Sequence, residues 1–173
     1  MPDIIHIFIV QRQYFDIATF ASRVERFDYG SLEIGNHPPG HEITLERVAS
    51  GSLKISASEM MCFSRNFCEM FGDLIPDDDG VWKLHLILRE MSGIKFSQVF
   101  IRGTEVFFRR LVEAFLQLYS NLFHGQLTIK FQLLLHYADL MVLLGPLVPS
   151  RTEKSSSWLY HSCIVASLRG DSA

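Results

Sequence analysis

With 173 residues, 48% of them hydrophobic and 14 of them phenylalanine, the chain can build one domain with a sizeable core, and disorder is excluded over most of its length. A formal net charge of −3 gives no general attraction to phosphate backbones, so any nucleic-acid contact would have to come from a local basic patch. Three cysteines without motif spacing argue against a disulfide scaffold and for a reducing, intracellular setting.

Residues 4–10 form a short apolar run containing His6, and periodicity at that length does not separate a buried strand from a buried helix. Asp16 is placed to cap a helix carrying Ile17, Phe20, Val24 and Phe27, ended by the turn Asp28-Tyr29-Gly30. From 31 to 53 the composition shifts to Gly, Pro, His and Ser, which predicts a long surface loop. Ser56-Ala57-Ser58-Glu59 has the form of a capping box, and Met60, Met61, Phe63, Phe67, Met70, Phe71 and Leu74 follow at helical spacing, with Gly72 and Pro76 as stops. Asp78 or Asp79 is expected to cap the next helix, whose Trp82, Leu84, Leu86, Ile87, Leu88 and Met91 are too apolar for a surface position. Thr104 is expected to cap a third, with Phe107, Phe108, Leu111, Val112, Phe115, Leu118 and Tyr119 on its apolar face. Thr128 is expected to cap a fourth that carries Phe131, Leu134, Leu135, Tyr137, Leu140, Met141, Leu143 and Leu144.

These patterns predict an all-α fold: an irregular helical bundle spanning 1–147 as one domain, with the loop at about 31–53 and a divergent, poorly ordered tail over 148–173. The apolar stretch 131–148 is interrupted by His136, Asp139 and Gly145-Pro146 and does not read as a membrane span. The N-terminus lacks the basic region of a secretory signal.

No constellation points to a reaction centre. Asp77-Asp78-Asp79, with Asp73 and Glu90 nearby, lacks the alternating ligand spacing and central glycine of an EF-hand loop, and a solvated helix start accounts for it. Cys62, Cys68, His85 and His136 could converge on zinc, but the two cysteines point about 120° apart on a helix, and no CxxC or HxxxH pair anchors the set. No GxSxG signature and no glycine-rich phosphate loop occurs. The expectation is therefore no catalytic residue, no metal, no cofactor and no small-molecule substrate. Arg102, Arg109, Arg110 and Lys130 are the candidate nucleic-acid contacts. Glu105 and Glu113 lie within one helical turn of Arg109 and Arg110, so pairing on a solvated face competes with that role.

Several segments occur in a recognisable order. They are Tyr14-Phe15; Phe27-Asp28-Tyr29-Gly30; the block Ala57-Ser58-Glu59-Met60-Met61-Cys62-Phe63-Ser64-Arg65-Asn66; Gly72-Asp73-Leu74-Ile75-Pro76; Trp82; Leu134-Leu135-His136-Tyr137; and Gly145-Pro146-Leu147. Together they resemble the C-terminal helical region of transposase-like proteins of animal genomes, broadly similar to the helical domain downstream of the catalytic core in CACTA (En/Spm-like) transposases. The resemblance runs over about residues 4–147. Family members carry an upstream nuclease-like core, and after Gly-Pro-Leu a tryptophan and an aromatic-acidic motif. Here Val148-Pro149-Ser150-Arg151-Thr152-Glu153 takes that place, and Ile129 stands where a proline is usual.

The resemblance implies a truncated, transposon-derived, non-catalytic helical fragment. Its residual role would be protein association (with itself or another polypeptide) or accessory DNA binding, and it would be nuclear. The competing expectation is a helical protein-interaction module recruited by the host, without DNA binding. A third, an enzyme with a cryptic site around His85 and His136, would require those two histidines to converge. If the family's upstream segments pack on Trp82, Phe107, Phe108 and Phe115, this chain should expose apolar patches there and self-associate.

Overall fold

The computed structural model describes residues 1–33, 35–51, 53–95, 97, 103–123, 134, 136 and 139. Every regular element among them is helical, so the protein is all-α. The chain divides into two compact units, Met1–Asp79 and Gly80–Ala173, which meet in sequence at the acidic turn.

In the first unit the run at 4–10 resolves to helix. Pro2–His6 is helix α1, with proline at its start, where a missing N–H is harmless. It continues into one π-type turn, Ile7–Gln11, in which Arg12 N–H reaches Ile7 O at 2.8 Å. Ile4, Ile5 and Phe8 are wholly buried, so the segment is a core helix rather than a strand. Helix α2, Ile17–Arg26, starts where Asp16 caps it: the carboxylate accepts from Thr19 N–H at 2.7 Å. It ends at the predicted turn, where Asp28 accepts from Gly30 N–H at 2.9 Å.

The long connection predicted at 31–53 is more ordered than its composition suggests. It holds two 3-10 turns, Ser31–Glu33 and Gly40–Glu42, and a short helix α3, Leu45–Ala49, capped by Thr44. Ile43, Val48 and Leu53 enter the core. Gly40 is the reason the connection lies flat on α2. A Cβ there would stand 2.5 Å from Ala21 O and 2.8 Å from Glu25 N, so only glycine permits the approach.

Helix α4, Ala57–Phe71, begins with the capping box read from the sequence. Glu59 N–H bonds Ser56 Oγ at 3.3 Å, and Ser56 N–H bonds the Glu59 carboxylate at 2.5 Å. Its buried stripe is Cys62, Phe63, Phe67, Met70 and Phe71. Six phenylalanines interlock around it: Phe71 lies with ring centroids 5.0 Å from Phe15, 5.0 Å from Phe20 and 4.9 Å from Phe67. Phe63 meets Phe20 edge-on at 5.8 Å, and Phe8 stacks on Phe67 at 6.2 Å. Offset and edge-on pairs of this kind add about 0.5–1.5 kcal/mol each beyond area burial.

In the second unit, helix α5, Gly80–Lys95, starts directly after Asp79, and helix α6 spans Thr104–Phe123. Thr104 is therefore the first helical residue rather than the cap. Gly103 precedes it at φ +100°, and the Glu105 carboxylate accepts from Gly103 N–H at 2.9 Å. Gly93 lies inside α5. The core consists of Leu84 and Met91 from α5, Phe108, Val112, Phe115 and Tyr119 from α6, and Leu134. Trp82, Phe108 and Phe115 are thus interior, contrary to the expectation that they lie bare, whereas Phe107 is 46% exposed. On α6 the inward positions are 108, 112, 115 and 119, a spacing that turns 107 outward.

Of the predicted fourth helix, Leu134, His136 and Asp139 are described and helical, while Thr128 lies outside the described residues. The predicted tail at 148–173 also lies outside them.

Candidate functional site

A concavity in the first unit is built where three segments converge on the N-terminus of α2. Ile9 and Val10 come from the π-type turn, and Gln13, Tyr14 and Phe15 from the tight connection that follows, where Gln13 adopts φ +53°. Asp16, Ile17 and Thr19 come from the capped start of α2. Leu45 from α3 and Leu74 from the end of the α4 turn close the far side. The result is an open groove of about 700 Å³. Phe15 forms its buried floor, and Val10 and Leu45 are 41% and 49% exposed along it.

Its polar lining consists of Gln13, Tyr14, Asp16 and Thr19, of which Asp16 carries the charge. Bonding from the Thr19 side chain, then from its backbone N–H, holds Asp16 below the usual carboxylate range. Tyr14 Oη donates to Asp79 at 2.9 Å, and Arg12 Nε lies 3.6 Å from the same carboxylate, which is buried. Burial, then the bond to Asp79, raises the Tyr14 pKa, and Asp78 adds to the rise, so the phenol stays a donor. Asp77 and Asp78 are exposed beside Asp79 in sequence.

The candidate nucleic-acid contacts fall differently. Arg109 and Arg110 are exposed on α6, whereas Arg102 and Lys130 lie outside the described residues. Arg109 forms a close ion pair with Asp139. Among the described residues the expected pairing with Glu105 and Glu113 one turn away is not seen. Glu105 is turned back onto Gly103 N–H, and Asp139 meets Arg109 from another helical segment. Arg110 has no ion pair among the described residues.

The other constellations stay apart. His85 is wholly buried with its ring 5.6 Å from Trp82, and His136 is exposed, so the two do not share one environment. Cys62 is buried against Asn66, and burial raises its thiol pKa, the opposite of a reactive thiolate. Among the described residues no three His, Cys, Asp or Glu side chains converge as a metal site, and no helix is long and apolar enough to cross a membrane.

Sequence reasoning missed the groove and the Tyr14–Asp79 bond. The only local signal was the Asp16 cap beside an apolar run, because Leu45 and Leu74 arrive from distant positions. No protein-family model, no curated protein and no solved structure matches the chain.

Proposed function

We propose that this chain is a non-catalytic helical association module, derived from the helical region of a CACTA (En/Spm-like) transposase-like protein. The derivation rests on the ordered motifs from Tyr14-Phe15 to Gly145-Pro146-Leu147. The association role rests on one observation: in each unit large apolar side chains stand in solvent on helices. Val10 and Leu45 border the groove, and Val106 and Phe107, 53% and 46% exposed, are neighbours on α6. Accessory DNA binding has less support, since Arg109 is paired with Asp139 and the net charge is negative. A host-recruited interaction module would use the same surfaces, and differs in origin rather than in physics.

The test is sedimentation velocity of the full chain over a range of concentrations, with Phe107→Lys alongside, and titration of random-sequence duplex DNA at rising salt. The reading expects concentration-dependent assembly that Phe107→Lys weakens, and no salt-dependent capture of DNA. Tight binding that falls steeply with salt would move the function to DNA. A monodisperse monomer that takes no polypeptide partner would overturn the association role. Catalytic-core motifs encoded in the genomic DNA beside this reading frame would support the transposon origin, and unrelated flanking sequence would count against it.

A further inference from the structure

We propose that the outer face of α6 pairs antiparallel with the same face of a second copy of this chain, in a register set by Arg110 and Glu113. The proposal rests on the association reading above and names the partner and its orientation.

The face is defined by what α6 buries. Phe108, Val112, Phe115 and Tyr119 turn inward, so at about 100° per residue the other side carries Val106, Phe107, Arg110, Glu113, Ala114 and Gln117. All of these are exposed, Val106 by 53% and Phe107 by 46%. Val106, Arg110, Glu113 and Gln117 recur at spacings of four, three and four, the seam along which one helix lies on another. Phe107 supplies a large apolar side chain at the edge of that seam, and Ala114 is small enough to admit it from a facing helix.

Charge identifies the occupant. Arg110 and Glu113 form no ion pair among the described residues although they lie one turn apart, whereas neighbouring Arg109 is taken by Asp139. A two-fold axis crossing α6 between Arg110 and Glu113 sets Arg110 of each copy against Glu113 of the other, so two opposite-charge contacts form at once. The same operation brings Val106 to Gln117 and Phe107 towards Ala114. A parallel pair in register would oppose arginine to arginine and glutamate to glutamate, so the pattern selects the antiparallel arrangement. The face thus carries its own complement. One helix of 20 residues offers a contact at the small end of specific interfaces, so a reversible, micromolar dimer is expected.

The experiment is sedimentation velocity of the full chain as wild type, Arg110→Glu, Glu113→Arg and an equimolar mixture of the two variants. Each variant alone meets itself with like charges, and the symmetry doubles every change, so each should dimerise at least about tenfold more weakly. The mixture sets a doubly acidic face against a doubly basic one and should recover assembly, most fully at low salt. Both positions are exposed, so far-UV circular dichroism should show the helices retained. Orientation is read by oxidative cross-linking. Val106→Cys mixed with Gln117→Cys should give a disulfide-linked dimer above the wild-type background. Val106→Cys alone should not, because the axis leaves its two copies about 16 Å apart along the pair.

Assembly indifferent to either charge reversal, a mixture no stronger than its components, or cross-linking by Val106→Cys alone as well as by the mixture would each overturn the proposal. A wild-type chain that stays monomeric at every concentration would also overturn it. Assembly weakened by Phe107→Lys yet unmoved by the charge reversals would sink the antiparallel pair alone and leave the association reading standing.

Discussion

Arg23 grips Asp73 with two prongs, fifty residues further along the chain. Nη2 lies 2.8 Å from Oδ2, Nη1 bonds Oδ1, and Nη1 also donates to Met70 O at 2.7 Å. The guanidinium thus ties α2 to the last turn of α4 and satisfies a carbonyl that the helix itself leaves open. Arg23→Ala should destabilise the first unit by about 1–2 kcal/mol, discounted for partial exposure, as read from urea denaturation. Arg23→Lys should restore little, because an ammonium cannot span both carboxylate oxygens and the carbonyl in one plane.

The same pair sets an acid limb on stability. Hydrogen bonding from Arg23 holds Asp73 below its ordinary pKa, and bonding from Thr19 and His41 does the same for Asp16 and Glu25. A group with a depressed folded-state pKa contributes stability that is fully present above its unfolded value and disappears as pH falls through the folded one. Thermal midpoints should therefore hold steady down to about pH 5 and then fall. The fall should be shallower in Arg23→Ala, where Asp73 returns towards its ordinary value. An equal slope in both proteins would count against this assignment.

Gly40 offers a sharper steric test. The new methyl of Gly40→Ala would collide with backbone atoms of Ala21 and Glu25, which cannot swing aside. The connection should lift from α2 at a cost of about 1–3 kcal/mol, measured by thermal melt. Gly35→Ala in the same connection has nothing within 4 Å of the added carbon and should change the midpoint little.

Tyr14→Phe removes the hydroxyl that Asp79 accepts while keeping the ring. Asp79 is only 8% exposed, so losing this donor should cost about 1 kcal/mol or more. Hydrogen exchange at residues 77–80 should quicken while amides of α4 stay protected. Unchanged exchange there would show that Tyr14 does not steady the junction.

What the sequence made legible is what is local. The Asp16 cap, the Ser56–Glu59 box and the stripe Phe63, Phe67, Met70, Phe71 each depend on spacings of three or four residues, and all three occur as read. Phe107 and Phe108 show the limit of that reasoning. Adjacent residues on a helix lie about 100° apart, so only knowledge of the facing helix tells which one turns inward. The 31–53 connection looked like bare loop because Gly40 was read as a breaker, when its role is to let backbone approach backbone. The groove and the Tyr14–Asp79 bond, 65 residues apart, depend on tertiary convergence, which carries no local sequence signature.

The π-type turn at Ile7–Gln11 makes the opening of the chain sensitive to length rather than to identity. A hydrogen bond spanning five residues encloses one more than the four-residue bond of an ordinary turn. Deleting one codon there would close the ring to standard pitch and rotate everything upstream by about 100°. Ile4 and Ile5, now wholly interior, would be wheeled towards water, although every surviving amino acid remained the same. Conservative exchanges along these first turns should be absorbed by repacking, while a single in-frame loss should not.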